Sequence, residues 1–548
     1  MPIDRRLFLA GAAALSVPAA ARATITAGGA TPAQKVAVAA IAAYLEAHRA
    51  FFALPAMGMV VTDGDFTAFI QSGNSDYADT IPLAGTEYWQ IGSISKSFVA
   101  LVCLQLAEAG KLDLDADIRS VLPTAPLPPG APFTVRGLLD HTTGLPDFAP
   151  AWPADGKLLW RSFEPGAHWS YSNTAYFLLG DMIARIEGKP LAQVIEARIT
   201  RRLGMADTRG AIQWRDRDRH TASYATLRRD LPVRQRNALA PESFTPQTMG
   251  AGSVTSTLPD MARYLRYLIG VGRGQGGNLI SDASAKAWLT NPVLQDPETP
   301  AETYGLGLMH RRDDGRALLH HTGGMISFSS SFHVDAAAGT GAFASCAIGG
   351  TGYRPRLLTA FAVRAMRLAR KGKAIPPPPM LGPKPVDKPG DYAGTFGDAV
   401  VTANPLAING AALERSGKDQ FITAHPAFET FPLVFVRDAS GSVIAIDHGP
   451  RHLVRTGASA PLPPTPPRPA ARAGRYESDD PWTGGLTLVV RGDVLLVNGT
   501  DAITEIGDDV WRAADPAWSP ERIAFAGFVD DRPQTLILSG RPLERRDT

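Results

Sequence analysis

Residues 86–110 read TEYWQIGSISKSFVALVCLQLAEAG, in which a Ser-x-x-Lys motif precedes an apolar run with helical periodicity. We predict a helix over 94–109, with Ser93 at its start, where backbone N–H groups and the helix dipole favour an anion. Lys96 follows one helical turn later, so its amine can reach the Ser93 hydroxyl. Burial among apolar neighbours would lower the pKa of Lys96 and make its neutral amine a plausible base. The plainer alternative is a solvated helix start.

A second polar motif, Tyr171-Ser172-Asn173, lies within PGAHWSYSNTAYFLLG (165–180), just before a predicted helix over 174–187. Residues two apart in an extended segment lie on the same side, so Tyr171 and Asn173 would face one cleft. A phenol can relay a proton, and an amide can hold a substrate carbonyl or N–H. The alternative is that Asn173 only caps the helix.

A third motif, His-Thr-Gly-Gly at 321–324, ends a predicted strand that reads RALLHHTGG (316–324). Successive side chains alternate across a strand, so His320 and His321 are expected to point to opposite faces. A zinc site would need further ligands at suitable spacing, which the sequence does not offer. We therefore expect no metal and no other cofactor.

The order of these motifs resembles the serine β-lactamase and penicillin-recognising hydrolase superfamily, in its class C-like branch of DD-peptidases, D-aminopeptidases and esterases. Supporting stretches are LLDHTTGLPDF (138–148), GAGSVTSTLPDMARYL (250–265) and YGLGL (304–308). The likeness covers nearly all of 31–370. It implies an α+β fold, in which an antiparallel sheet is flanked by helices, and early and late strands of the block are expected to join in that sheet.

The resemblance also implies roles for the matched residues. Ser93 would be the acylated nucleophile, and Lys96 and Tyr171 its proton relay, with the identity of the first base left open between them. Tyr171 would also carry the proton to the leaving group. The implied substrate-binding residues are Asn173, His321 and Gly323, and the implied oxyanion-hole donors are the backbone N–H groups of Ser93 and Gly324.

One position departs from the family pattern. Many β-lactamases and carboxypeptidases have Lys-Thr-Gly on this strand, where a permanent cation attracts a substrate carboxylate, but this chain has His321. The change favours D-aminopeptidase, amidase or esterase activity on an amide or ester over the alternative, β-lactamase or DD-carboxypeptidase activity. An alternative of another class is a catalytically silent penicillin-binding or sensor protein. Retention of all three motifs argues against that alternative.

Two proline-rich stretches, 371–390 and 459–473, divide the chain after the large block, since such segments form extended spacers. They separate a catalytic domain (24–370) from two similar units, 391–458 and 474–548. In both units short alternating strands are joined by Gly/Asp turns, as in LVFVRDASGSVIAI and IAFAGFVDDRPQTLIL. We predict two small all-β, barrel-like domains that arose by duplication, similar to the lipocalin-like appendages of some family members.

The beginning of the chain and its composition bear on location and partners. Residues 1–23 have the pair Arg5-Arg6 near their start, followed by a short apolar stretch and a small-x-small site, which is typical of an export signal of the twin-arginine type. We expect a periplasmic or secreted protein without a stable membrane anchor after cleavage. The formal charge of +2 excludes a strongly basic nucleic-acid binder, so the expected partner is a small-molecule or short peptide substrate. Cys103 and Cys346 lie in apolar runs and are expected to be buried rather than bridged.

Overall fold

The structure is a computed structural model that describes residues 23–234, 236–296, 298–299, 301–383 and 385–546. The predicted export segment 1–23 therefore lies outside the described residues, apart from Ala23. Within those ranges, no helix combines the length and the apolar character that a membrane crossing requires.

The two helices predicted over 94–109 and 174–187 are present, with shifts of one residue at their ends. Thr31 caps the first helix of the chain, where its hydroxyl accepts from the Gln34 backbone N–H and the Gln34 side chain accepts from the Thr31 N–H. The helices are α1 (Pro32–Phe52), α2 (Ser95–Glu108), α3 (Val135–Asp140), α4 (Asn173–Glu187), α5 (Leu191–Ile195), α6 (Leu258–Val271), α7 (Asp282–Trp288), α8 (Arg356–Arg370) and α9 (Pro467–Arg472). A π-helical turn, Glu196–Thr200, continues α5.

The catalytic block is built on one antiparallel sheet in the order β1-β3-β2-β13-β12-β11-β10-β9-β8. The strands of this block are β1 (Thr24–Ala27), β2 (Ala56–Asp63), β3 (Phe66–Gly73), β4 (Trp89–Gln90), β5 (Tyr224–Thr226), β6 (Leu239–Pro241), β7 (Thr255–Ser256), β8 (Val293–Leu294), β9 (Glu302–Gly305), β10 (Leu308–Asp313), β11 (Arg316–Gly324), β12 (Ser329–Asp335) and β13 (Thr340–Cys346). The early strand β2 pairs with the late strand β13. The expected joining of early and late strands is therefore confirmed.

Helices cover both faces of this sheet. On β2, Val60 joins a core that contains α2, α4 and α6, whereas its neighbours Met59 and Val61 join a second core with α1 and α8. Because successive side chains of this buried strand point to opposite faces of the sheet, they contribute to two apolar layers. Cys103 and Cys346 are both buried and free, as expected.

The segment 304–310 carries strand signals in its sequence, and it belongs to two strands. These are β9 and β10, which are joined at Leu306-Gly307. Both turn residues have positive φ, 43° and 78°, which glycine tolerates and which closes a tight hairpin. The turn is held from outside, because the Leu306 N–H donates to Asp140 Oδ1 at 2.6 Å and its carbonyl accepts from Trp288 Nε1 at 2.9 Å.

Two eight-stranded all-β units follow the catalytic block, as predicted. The first contains β14 (Gly394–Phe396), β15 (Ala399–Ala403), β16 (Leu406–Ile408), β17 (Ala411–Gly417), β18 (Gln420–Thr423), β19 (Leu433–Arg437), β20 (Val443–His448) and β21 (Arg451–Val454). The second contains β22 (Gly474–Glu477), β23 (Gly485–Arg491), β24 (Val494–Val497), β25 (Asp501–Gly507), β26 (Val510–Ala513), β27 (Ile523–Val529), β28 (Arg532–Leu538) and β29 (Arg541–Arg546), and it closes into a barrel.

The two units share their strand count and order, and the hairpins β19–β20 and β27–β28 are the sixth and seventh strands of their units. Their origin by duplication stays a prediction. The second proline-rich stretch is not extended throughout, contrary to the prediction. Its end forms α9, which starts on Pro467, where a missing N–H costs no hydrogen bond. Arg472 in this helix is buried and pairs with Asp509 of the second barrel.

The two adjacent histidines of β11 face opposite sides of the sheet, as predicted. His320 is fully buried and stacks on His333 of β12, with ring centroids 4.9 Å apart. His333 in turn meets Thr359 Oγ1 of α8 at 2.8 Å, whereas neither ring nitrogen of His320 has a protein partner in the described ranges. Burial lowers the pKa of His320 well below its ordinary value and that of His333 to about 3.

These histidines predict an acid-sensitive fold. Their folded pKa values lie below the unfolded value of about 6.5, so below that pH the unfolded chain binds protons that the folded chain does not. The stability is therefore complete above pH 6.5 and falls as the pH is lowered towards 3. We expect His320→Leu to reduce the loss of Tm between pH 7 and pH 5 in scanning calorimetry. An unchanged loss of Tm in this variant would contradict the assignment.

Candidate active site

Ser93 lies on a 3-10 turn, Gly92–Ile94, that leads directly into α2. Every residue of α2 from Ser95 to Leu106 is buried, whereas Ser93 is partly exposed. A helix that is apolar on all sides lies inside a domain, so α2 runs through the centre of the catalytic block. The serine hydroxyl therefore stands at the accessible end of a rigid, buried helix.

Lys96 is fully buried, and its amine meets three acceptors. Nζ lies 3.2 Å from Ser93 Oγ, 2.7 Å from Asn173 Oδ1 and 2.9 Å from the Ala251 carbonyl oxygen. Burial lowers the pKa of Lys96 to about 7, and the carboxylate of Asp147 acts in the opposite direction. At neutral pH a substantial fraction of the amine is uncharged and able to accept a proton.

Tyr171 is a second side chain that contacts Ser93. Its side chain hydrogen-bonds Ser93, and burial raises the pKa of Tyr171 well above its ordinary value. The Lys96 amine also lies 4.7 Å from the centre of the Tyr171 ring. The phenol is therefore protonated at neutral pH and placed to exchange a proton with the serine oxygen.

Asn173 begins α4, but it is not the cap of that helix. Ser172 is the cap, because its Oγ accepts from the Ala175 N–H at 3.1 Å. The alternative that Asn173 only caps the helix is therefore wrong. The Asn173 amide instead accepts from Lys96 and donates from Nδ2 to Asp147 Oδ1 at 2.9 Å. Its contact with a substrate stays a prediction.

Asp147 is a site residue that the sequence reasoning missed. Its Oδ1 accepts both from the Asn173 backbone N–H at 3.0 Å and from the Asn173 side chain. Burial raises the pKa of Asp147, and the charge of Lys96 opposes that rise. Asp147 lies in LLDHTTGLPDF (138–148), one of the stretches that resemble the family. Its carboxylate could therefore have been chosen as a candidate from the sequence.

His321 is fully buried and uncharged. Its Nδ1 donates a hydrogen bond to the Thr322 carbonyl oxygen at 2.6 Å, and its Nε2 lies 3.2 Å from the Tyr304 hydroxyl. Burial lowers the pKa of His321 to about 3. The end of β11 is therefore neutral at position 321, and direct contact of His321 with a substrate stays a prediction.

The glycines at the end of β11 allow the strand to approach the serine turn. A Cβ on Gly323 would lie 1.9 Å from the Ile91 carbonyl oxygen, and one on Gly92, which has φ of +55°, would lie 2.7 Å from the Gly324 nitrogen. Only backbone without side chains fits this approach. The turn that carries Ser93 and the Gly324 N–H are thereby brought together, as the predicted oxyanion hole requires.

Arg354 is a second residue that the sequence reasoning missed. A Cβ added to Gly324 would lie 2.0 Å from its Nη2, and Nη1 donates to Ser329 Oγ at 3.1 Å. Its positive charge also acts on Tyr171, whose pKa it lowers against the larger effect of burial. Thirty residues separate Arg354 from the end of β11, and no motif around it marks the contact.

A serine hydroxyl, a lysine amine and a tyrosine phenol lie within mutual reach, which is a combination that suits a serine hydrolase. Among the residues that the structure describes, no group of three or more His, Cys, Asp or Glu side chains could hold a metal ion. The chain belongs to the Beta-lactamase family, whose model matches residues 37–360, and it is a serine hydrolase of that fold.

Curated relatives include a peptidase and an esterase. The chain is 28% identical over 293 residues to the D-alanyl-D-alanine-carboxypeptidase/endopeptidase AmpH of Escherichia coli (strain K12), which covers 49% of this chain and 73% of AmpH. It is 28% identical over 189 residues to the esterase EstB of Burkholderia gladioli, which covers 28% of this chain and 46% of EstB.

Solved structures show the same fold. The octameric penicillin-binding protein homologue from Pyrococcus abyssi matches 85% of this chain and 99% of its own, with 18% identity and a TM-score of 0.56. The D-amino acid amidase from Ochrobactrum anthropi SV3, solved with L-phenylalanine amide, matches 62% of this chain and 99% of its own, with 25% identity and a TM-score of 0.51.

The state of Lys96 predicts the pH dependence of acylation. An uncharged Lys96 amine can take part in the proton relay as a base, and its fraction grows as the pH rises through its pKa of about 7. The rate constant for labelling of Ser93 by a fluorophosphonate, followed by intact mass, should rise with pH around a midpoint near 7. Asp147→Asn removes a charge that holds this pKa up, so its midpoint should lie lower. Asp155→Asn, at a fully exposed site, is the control and should keep the wild-type midpoint.

The close approach at Gly323 predicts a second result. Gly323→Ala places a methyl group against the Ile91 carbonyl, so β11 and the serine turn must separate. We expect labelling of Ser93 to slow by roughly 10-fold or more, because small displacements of reacting groups are costly. Gly390→Ala is the matched control, since no heavy atom lies within 4 Å of its Cβ and no positive φ is present. Equal rates in the two variants would refute the role of the approach.

Proposed function

We propose that this protein hydrolyses an amide or ester through a covalent acyl-enzyme on Ser93. The observation that carries the proposal is the 3.2 Å approach of the buried Lys96 amine, whose pKa is lowered to about 7, to Ser93 Oγ. Tyr171 completes the set as a protonated phenol that hydrogen-bonds the same serine.

The reaction has two steps. In the first, Ser93 Oγ bonds to the substrate carbonyl carbon while its proton passes to Lys96, directly or through Tyr171. The carbonyl oxygen becomes an anion that the N–H groups of Ser93 and Gly324 stabilise. When this adduct collapses, the bond to the leaving group breaks, the amine or alcohol takes a proton from Tyr171, and Lys96 returns a proton to Tyr171. In the second step a water molecule bonds to the ester carbonyl carbon and gives a proton to the same relay. The bond to Ser93 Oγ then breaks, the relay returns the proton to Oγ, and the acid is released.

The proposed preference is D-aminopeptidase, amidase or esterase activity. A neutral His321 supplies no permanent cation for a free substrate carboxylate at that position. The likenesses to a D-amino acid amidase and to an esterase agree with this preference. The proposed substrate is a small molecule or a short peptide, and the protein is proposed to act without cofactor or nucleic acid in the periplasm or outside the cell.

A second candidate is the hydrolysis of substrates that carry a carboxylate, as by a β-lactamase or DD-carboxypeptidase. Arg354 favours it, because its guanidinium lies against Gly324 at the end of β11. The likeness to the carboxypeptidase AmpH agrees with this candidate. An arginine fork can bind a carboxylate through two hydrogen bonds, so Arg354 would replace the missing lysine charge.

Covalent trapping tests the proposed reaction against a silent penicillin-binding or sensor protein. The full chain is incubated with a fluorophosphonate and with a penicillin, and its intact mass is measured. We expect one adduct per chain with the fluorophosphonate, absent in Ser93→Ala, and turnover of an ester substrate. The absence of an adduct with both probes would refute the proposal that this protein acts through an acyl-enzyme. A penicillin adduct without turnover of any substrate would favour the sensor.

A substrate panel separates the two candidates. Short p-nitrophenyl esters, D- and L-aminoacyl anilides and nitrocefin are compared by kcat/KM in wild type, His321→Lys and Arg354→Met, with ratios taken within each variant. The leading proposal expects His321→Lys to raise the nitrocefin-to-ester ratio and Arg354→Met to leave it low. A high wild-type ratio that collapses in Arg354→Met would favour the carboxylate candidate instead.

A further inference from the structure

The second barrel rests on the segment of the catalytic block that contains Asp147. Trp482 stacks on Phe148 with ring centroids 5.6 Å apart, and Arg541 Nε donates to the Phe148 carbonyl at 2.7 Å. Further along the same segment, Trp518 stacks on His168, with centroids 4.4 Å apart and planes at 7°. The barrel is thus bonded to the residue that follows Asp147.

Glu521, in the loop before β27, reaches Asp147 itself. Its Oε1 accepts from the Asp147 backbone N–H at 2.6 Å. Its Oε2 accepts from Ser539 Oγ at 2.6 Å, and Ser539 Oγ also accepts from the Arg522 N–H at 3.2 Å. One carboxylate oxygen is therefore anchored in the barrel and the other holds the catalytic block, and burial raises the pKa of Glu521.

Further hydrogen bonds connect Asp147 to the amine of Lys96. Asp147 Oδ1 accepts from the backbone N–H and from Nδ2 of Asn173, and Asn173 Oδ1 accepts from Lys96 Nζ at 2.7 Å. We propose that Glu521 is a positioning residue of the active site, through which the second barrel holds Asp147, and thereby Asn173 and Lys96, in place. This inference rests on the proposed function of Lys96.

Loss of the Glu521 acceptor should change catalysis in two ways. Asp147 and Asn173 would lose their alignment with Lys96, and a misplaced catalytic group is expected to lower kcat roughly 10- to 100-fold with a smaller effect on KM. The charge of Asp147 raises the pKa of Lys96. If Asp147 moves away from Lys96, that pKa falls, and the increase of activity with pH should then occur at a lower pH. The titratable groups that face Lys96 are Asp147, Tyr171, Tyr176, His141 and His321.

Two variants of the full-length chain separate positioning from charge. Glu521→Ala removes the acceptor, whereas Glu521→Gln keeps an amide oxygen for the Asp147 N–H. With a short p-nitrophenyl ester we expect the stated loss of kcat and a lower pH midpoint in Glu521→Ala, and values near wild type in Glu521→Gln. Asp509→Ala breaks the pair with Arg472 inside the same barrel, so it reproduces damage to the barrel without touching the catalytic block.

Hydrogen exchange keeps the test valid if Glu521→Ala is poorly stable. Residues 145–150 should exchange faster in this variant than in Asp509→Ala, while α2 stays protected. Wild-type kcat and pH midpoint in Glu521→Ala, equal losses in Glu521→Ala and Glu521→Gln, or equal losses in Glu521→Ala and Asp509→Ala would each overturn the proposal. Failure of the proposed function differs from all of these, because the wild-type chain itself would then form no Ser93 adduct.

Discussion

The buried amine of Lys96 is the constraint on which the site depends. A lysine inside a protein core loses the hydration of its charged form, so its acceptors must come from the surrounding chain. Here they come from the serine turn, from the start of α4 and from the loop before β7. A Cβ on Gly307 would lie 2.7 Å from the Lys96 carbonyl, so the β9–β10 turn also closes on this point. The same burial that orders these segments yields an amine able to accept the Ser93 proton.

The charges near the active site come from residues around the end of β11 and not from the strand end itself. Burial and the nearby charge of Lys96 lower the pKa of His321 and keep it neutral, so the end of β11 carries no charge of its own there. Positive charge enters instead from Arg354, which lies against Gly324. Negative charge enters from Asp147, which partly offsets the effect of burial on Lys96. Substrate preference therefore depends on residues outside the three motifs as much as on the motifs themselves.

The sequence predicts what depends on local pattern. Helical periodicity after Ser93 and the family resemblance predict the α+β sheet, and alternating strands behind proline-rich joints predict the two barrel-like units. The split at Leu306-Gly307 was missed because it depends on positive φ in a tight turn held by Asp140 and Trp288. Arg354 and Glu521 were missed because they contact the site only through packing between segments that are distant in the sequence. Motif spacing contains no information about such contacts.

Direct titration of the Lys96 amine tests the central claim. With lysine side chains labelled with ¹³C at Cε, the signal that disappears in Lys96→Arg reports this amine, and its chemical shift is followed from pH 5 to pH 11. The account predicts a midpoint near pH 7, as burial implies. A midpoint near the ordinary lysine value of about 10.4 would contradict it, because the amine would then be a cation at neutral pH and could not accept the Ser93 proton.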